Sequence, residues 1–286
     1  MVITGSNGFL GSSLLNYLKK NNNTLKIFES SKNKKKLQDK FYFNLHEDFD
    51  KSFLIRNKIS LIIHTAFSFN FYSLEEGLKK NRIVSQKLFT FAKNNNIDII
   101  YISSISAFDQ AKSNYGKIKL LIEKDAKENN IVVLRPGLIY SKNNPGGMFG
   151  KLLKVIYYLP IIPLINGGKN KQFMCNIFNL CDLINNIILN KNFNHKIIYA
   201  FNEKSITLKE MLNRLMLVFN KKRIFIHIPS SIILIILKFF ELFYFNFGIK
   251  SDSLVSFLNS AKFKNIEHNE YNIVFNDFRE DFKINT

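Results

Sequence analysis

Short apolar runs alternate with helical stretches through the first two-thirds of this chain, and that alternation leaves few architectures open. The runs fall at residues 2–4, 25–28, 41–43, 61–64, 97–103 and 131–134. Between them lie amphipathic stretches at 11–20, 74–93 and 113–130, the first carrying Leu14, Leu15 and Leu18 on one face. A strand that is apolar at every position, rather than at every second one, has to be covered on both faces, and intervening helices supply that cover. The reading is an α/β fold with a doubly wound parallel sheet. A chain of 286 residues is long enough for such a sheet and a smaller second lobe.

The first run opens directly into Thr4-Gly5-Ser6-Asn7-Gly8-Phe9-Leu10-Gly11. Three glycines between a strand and a helix suit a Rossmann-type dinucleotide-binding turn. The first permits the tight turn, the second lets backbone approach a pyrophosphate, and the third lets helix pack close to strand. The helix N-terminus then offers free N–H groups to the phosphates. Glu29, 24 residues after Gly5, stands at the predicted end of the second strand, where a carboxylate accepts hydrogen bonds from the adenosine ribose. It would repel a 2′-phosphate, so the expected cofactor is NAD. The lysines at 32 and 34–36 keep NADP as the alternative.

A second constellation follows the fifth run: Ser103-Ser104, then Tyr115 and Lys119. Tyr115 and Lys119 are four apart on a predicted helix, hence on one face. An ammonium beside a phenol stabilises the phenolate and lowers a pKa that is otherwise near 10. Tyr115 can then move a proton to or from a substrate hydroxyl while Ser104 holds the same oxygen.

The net charge of +19 comes from scattered lysines rather than a stripe, so nucleic acid is not the expected partner, although the field favours an anionic substrate. Cys175 and Cys181, six apart, fit neither a metal pair nor a disulfide framework, and the five histidines show no metal spacing. The setting expected is a reducing cytoplasm, and no metal is called for. The apolar stretch 231–247 is interrupted by Lys238 and Glu241, which makes it a packed helix rather than a transmembrane span.

These motifs together resemble the extended short-chain dehydrogenase/reductases, the NAD-dependent epimerase/dehydratase group that acts on nucleotide sugars. The similarity covers residues 1 to about 185: TGSNGFLG at the start, LIIHTA at 61–66, Asn81-Arg82-Ile83-Val84-Ser85, YISSIS at 101–106, Tyr115-Gly116-Lys117-Ile118-Lys119 with Glu123, RPGLIY at 135–140 and Leu180-Cys181-Asp182-Leu183. The resemblance implies that Gly5, Gly8, Phe9, Leu10 and Gly11 hold the pyrophosphate and Glu29 the ribose. Asn44 and Leu45 fall where the family binds adenine, Thr65 and Ala66 would line the cleft, and Asn81 would buttress the sheet. Ser104, Tyr115 and Lys119 take the catalytic roles, Lys119 also holding the nicotinamide ribose. Residues 1–145 would form the Rossmann domain, with 170–190 returning to it. Residues 146–286 would form mainly a smaller, mostly helical substrate lobe, entered through irregular structure at Pro136, Pro145-Gly146-Gly147 and Pro160 to Pro163. Lys169, Arg214 and the glycine pairs at 146–147 and 167–168 are candidates for the sugar nucleotide, and a homodimer would form through the helices bearing Asn81 and Tyr115.

Two departures bear on the reaction. Only 11 residues separate Ser104 from Tyr115, about half the family interval, so the sugar pocket is differently built. Ser104 is followed by Ile105-Ser106 with no Asp-Glu pair, which argues against a 4,6-dehydratase. What remains is a nucleotide-sugar epimerase, with a keto-sugar reductase and a non-catalytic dinucleotide-binding protein as alternatives. Glu123 and Asp109 are read as helix-surface charge.

Overall fold

The computed structural model describes residues 1–22, 24–34, 39–242, 250–259, 271 and 273–283. At its centre lie β1 (Val2–Thr4), β2 (Phe28–Ser31), β3 (Phe41–Tyr42), β4 (Leu61–His64), β5 (Asp98–Ile102) and β6 (Val132–Pro136). The lobe adds β7 (Leu138–Tyr140), β8 (Ile161–Ile165), β9 (Lys171–Gln172) and β10 (Met174–Asn176), after which β11 (Ile197–Ala200) returns to the main sheet. The seven-stranded order is β11-β6-β5-β4-β1-β2-β3, parallel throughout. Strand order reverses between β4 and β1, the place where such sheets open a crevice at their carboxyl ends.

Both faces are covered, as the unbroken apolar runs require; every side chain of β1 and of β4 is buried. On one face α1 (Phe9–Asn21) contributes Leu14, Leu15 and Leu18 to the core. After α2 (Lys51–Arg56), the other face is covered by α3 (Leu74–Asn94) and α4 (Asn114–Glu128), through Val84, Leu88, Ile118 and Ile122. The chain continues through α5 (Gly147–Tyr158) to α6 (Ile177–Asn190), which joins α1 through Leu183, Ile184 and Ile187.

Three differences from the sequence reading matter. The second strand begins at Phe28 rather than at Leu25, because Val2 pairs with Phe28 and Ile3 with Glu29. The ladder continues through polar Glu29–Ser31 because Ser30 bonds into the glycine loop, so Glu29 is second in the strand rather than at its end. The main sheet also draws in residues 197–200, beyond the expected return at 190. The lobe is mostly helical, as expected, with short strand pairs added to it. It pairs β7 with β10, β9 with β12 (Ile206–Thr207) and β8 with β13 (Ile224–Ile228). Its helices are α5, α7 (Leu208–Val218), α8 (Ser230–Leu242), α9 (Ser251–Leu258) and α10 (Phe278–Asp281). Of the positions expected to be irregular, Pro145, Gly146 and Pro160 lie outside helix and strand, whereas Pro136 closes β6, Gly147 opens α5, and Pro163 sits in a two-stranded ladder where one missing N–H is tolerated. The apolar stretch forms α8 up to Leu242, and 243–249 lie outside the described residues. Among the described residues no helix is long and apolar enough to cross a membrane.

Candidate active site

The glycine loop joins β1 to α1 with Gly5 at φ 69°, where a Cβ would lie 2.8 Å from Ala66 Cα. A Cβ at Gly11 would lie 2.3 Å from the Gly5 carbonyl oxygen, so the helix reaches the turn only without a side chain. Gly8 N–H donates to the Gly5 carbonyl at 2.9 Å. The helices α2, α3, α4, α6 and α7 are capped by Asp50, Ser73, Ser113, Asn176 and Thr207, whereas α1 begins at Gly8 with no side-chain cap. Its first N–H groups therefore remain open to an anion, and the loop fits a dinucleotide's pyrophosphate. Phe9 lies against Gly146, where an added Cβ would come within 2.4 Å of the ring, so the start of α5 braces the loop. Leu10 packs partly into the core beneath.

The turn after β4 links this loop to the catalytic candidates. Thr65 Oγ1 donates to the Thr4 carbonyl at 2.7 Å, and Ala66 stands against Gly5. The next residue, Phe67, lies 5.1 Å ring to ring from Tyr115 and 4.5 Å from Lys119 Nζ. Asn81 braces this turn rather than the sheet: its side chain accepts from Ser68 N–H at 2.7 Å and donates to the Ser68 and Gly77 carbonyls. His64 is bonded to Thr4 Oγ1 at 2.8 Å and to Ser85 Oγ at 3.0 Å. Burial lowers its pKa to about 3, so it is a neutral structural group.

Ser104 follows β5, and Tyr115 and Lys119 occupy the first two turns of α4. Ser104 Oγ accepts from Ser106 N–H at 3.1 Å and is hydrogen-bonded to the Tyr115 phenol. Tyr115 stacks on Phe69 at 5.5 Å and meets Phe67 edge-on. Lys119 is 3% exposed and donates from Nζ to the Ile102 carbonyl at 2.7 Å. The electrostatics run against the simple expectation that Lys119 depresses Tyr115. Burial pushes the tyrosine up to about 12, opposed by the Ser104 bond, and burial brings Lys119 down to about 7, opposed by the Glu123 carboxylate. Each group is thus favoured in its neutral form by its burial, although Phe69, stacked on Tyr115, is 58% exposed on the open side of the site.

At the adenosine end the expected residues are placed differently. The Glu29 carboxylate lies 3.2 Å from Lys19 Nζ and 2.9 Å from Lys40 Nζ, which hold it below the usual carboxylate range. Asn44 is used locally, its Oδ1 accepting from His46 N–H at 3.0 Å and its side chain bonding Tyr42, and Leu45 is buried in the core. In the lobe, Arg214 is structural, donating to the Arg279 and Phe282 carbonyls at 3.2 and 3.3 Å. Lys169 is exposed, and Gly167 and Gly168 form a turn at φ 68° and 67°.

Other groups gave no sign in the sequence. Asp252 of α9 caps the helix carrying the tyrosine, accepting from Asn114 N–H at 2.6 Å and Tyr115 N–H at 2.9 Å. Ser256 Oγ donates to Ser106 Oγ at 2.9 Å from the same helix. No local pattern announces a cap 137 residues away from its helix. Glu123 is a correction: it is 4% exposed and holds Arg135 through both oxygens, so it is a buried ion pair rather than surface charge. Asp109 is exposed, and Cys175 and Cys181 are buried free thiols.

A doubly wound sheet with an uncapped glycine loop at its crevice defines a fold of the dinucleotide-binding type. The chain belongs to the NAD dependent epimerase/dehydratase family, whose model matches residues 1–172. No curated protein matches it. Among solved structures, UDP-glucuronic acid 4-epimerase from Bacillus cereus, in complex with UDP-glucuronic acid and NAD, is 18% identical with a TM-score of 0.68 over 80% of this chain and 85% of that one. MoeE5 in complex with UDP-glucuronic acid and NAD is 15% identical, with a TM-score of 0.68 over 80% and 85%. The dTDP-4-dehydrorhamnose reductase of Yersinia enterocolitica is 18% identical, with a TM-score of 0.66 over 81% and 84%. At such identities the likeness is one of fold, and it spans an epimerase and a reductase alike.

Proposed function

We propose that this protein carries out hydride transfer on a nucleotide sugar with a bound nicotinamide dinucleotide, and that its net reaction is epimerisation at a ring carbon. The observation that carries this is the run Thr65-Ala66-Phe67, which presses Ala66 on the glycine loop and Phe67 on Tyr115 and Lys119. Cofactor loop and proton-transfer groups thereby share one wall. The nicotinamide, when bound, exchanges hydride with the sugar carbon. Ser104 would hold the oxygen on that carbon; Tyr115, a phenol at neutral pH, would pass its own proton to neutral Lys119 as it accepts the hydroxyl's, and take it back when the hydroxyl is restored. Lys119 lies one turn further along α4, and its pKa of about 7 makes its neutral form available to receive that proton. The strongly basic chain favours a substrate carrying a diphosphate.

A second reading, single-step reduction of a keto-sugar by an exchangeable cofactor, is favoured by the engagement of Glu29 with Lys19 and Lys40. Purified protein is to be denatured and the released nicotinamide dinucleotide quantified, followed by a screen of UDP-, GDP- and dTDP-sugars. Stoichiometric release with sugar interconversion supports epimerisation; cofactor-free protein that oxidises added NADH or NADPH with a keto-sugar supports reduction. Tyr115→Phe is expected to lower turnover by about 10²–10⁴-fold with dinucleotide binding retained. Full activity in that variant would remove Tyr115 from the mechanism.

A further inference from the structure

The helix α8 is apolar around its whole circumference apart from Lys238 and Glu241, and a helix of that composition is ordinarily enclosed. In this chain one side of it is open. Ile233, Leu234, Leu237 and Phe240 are half-buried, whereas Ile232, Ile235, Ile236 and Phe239 are exposed, Ile235 to 68%. The exposed set follows the spacing i, i+3, i+4, i+7, so it forms one continuous face. Both ends of the helix are fastened. Ser230 N–H donates to Asn166 Oδ1 at 2.9 Å, and Glu241 accepts from Ser251 N–H at 2.6 Å and from Ser251 Oγ at 2.8 Å.

The ladder that leads into α8 repeats the pattern. Strand side chains alternate between faces. Phe225, Ile162 and Leu164 pack into the core of the lobe, while Ile224, Ile226 and the paired Ile161 are exposed. Just before β8, Tyr158 is exposed to 80%. The charge around these side chains has one sign. Residues 147–170 and 219–240 carry lysine or arginine at 151, 154, 169, 221–223 and 238, and no aspartate or glutamate. Lys221 Nζ lies 5.3 Å over the Tyr157 ring, and Arg223 donates to the Ile156 and Tyr157 carbonyls at 2.8 and 3.0 Å, so cations stand directly beside the aromatics. Lys222 and Lys238 are exposed.

We propose that α8, with the ladder that precedes it, is a docking surface for an anionic phospholipid membrane. Acyl chains would receive the isoleucines and anionic headgroups the lysines, with the tyrosines at the boundary between them. A second copy of the same face would instead bring like charges together. The helix has 13 residues and is about 20 Å long, too short to cross the hydrocarbon core, so it lies in the interface.

The chain contains no tryptophan, so Ile235→Trp supplies a single fluorescent reporter that keeps the face apolar. Titration with vesicles of phosphatidylcholine and phosphatidylglycerol in equal parts should shift its emission to shorter wavelength. Leu189→Trp, at an exposed position near the end of α6, should show no shift. In co-sedimentation, the full chain should bind these vesicles at least about tenfold tighter than vesicles of phosphatidylcholine alone, and more weakly as salt rises. Ile235→Asn/Ile236→Asn should lower that binding by about tenfold or more with the melting temperature unchanged. Lys222→Gln/Lys238→Gln should lower it by about tenfold or more on the anionic vesicles only. No shift in Ile235→Trp, no binding to anionic vesicles, or binding unaltered by the isoleucine pair overturns the proposal. A dimer in sedimentation velocity that the isoleucine pair abolishes, without vesicle binding, assigns the face to a second copy and overturns the proposal too.

Discussion

Replacing Glu123 by glutamine removes the charge at the centre of a buried network on α4, the helix that also carries Tyr115 and Lys119. Glu123 accepts from Arg135 Nε at 2.9 Å and from Nη2 at 2.5 Å; its side chain is 4% exposed and that of Arg135 12%. Among the described residues, Arg135 keeps Tyr199 Oη, at 3.1 Å, as a further side-chain acceptor. Breaking one partner of a buried pair leaves an uncompensated guanidinium and costs about 3–5 kcal/mol. For a chain of this size that corresponds to a fall in melting temperature of about 6–15 °C. Glu123 is also four residues from Lys119 and supports its charge, so the variant should lower the Lys119 pKa further from about 7 and move the alkaline limb of the pH–activity profile to lower pH. Thermal denaturation followed by circular dichroism reads the first effect, and initial rates across pH read the second. Glu123→Leu/Arg135→Met should regain much of the lost stability, since removing both charges removes the desolvation penalty. A single variant that loses less than about 1 kcal/mol would refute the buried-pair reasoning.

Two further outcomes follow from particular contacts. His64 is neutral when folded, with a pKa of about 3 against an ordinary 6.5, so the unfolded chain binds a proton between those values that the folded chain does not. Stability present above pH 6.5 should therefore be lost as pH falls toward 3, and His64→Gln should flatten that acid limb in urea titrations; an unchanged limb counts against the assignment. Asp252→Ala leaves the Asn114 and Tyr115 N–H groups without their cap and should cost about 0.5–2 kcal/mol, which a thermal melt detects; an unaltered melting temperature would show that α9 does not cap α4.

The sequence by itself determined the layered architecture, the glycine loop and the shared helix of Tyr115 and Lys119, because each rests on short-range constraints. An unbroken apolar run demands two-sided cover, a glycine at φ 69° tolerates no Cβ, and a four-residue spacing places two side chains on one helical face. Tertiary structure alone decided where Glu29 points. Strand side chains alternate with a period of two, so the register of β2 against β1 hands the loop to Ser30 and the carboxylate to Lys19 and Lys40, and a count of residues from Gly5 cannot resolve a one-residue step. The same holds for Asp252 over the Tyr115 helix and for Glu123 beneath it. Their partners are brought close by packing between distant segments, and burial, which sets the protonation of Tyr115 and Lys119, exists only once the chain has closed around them.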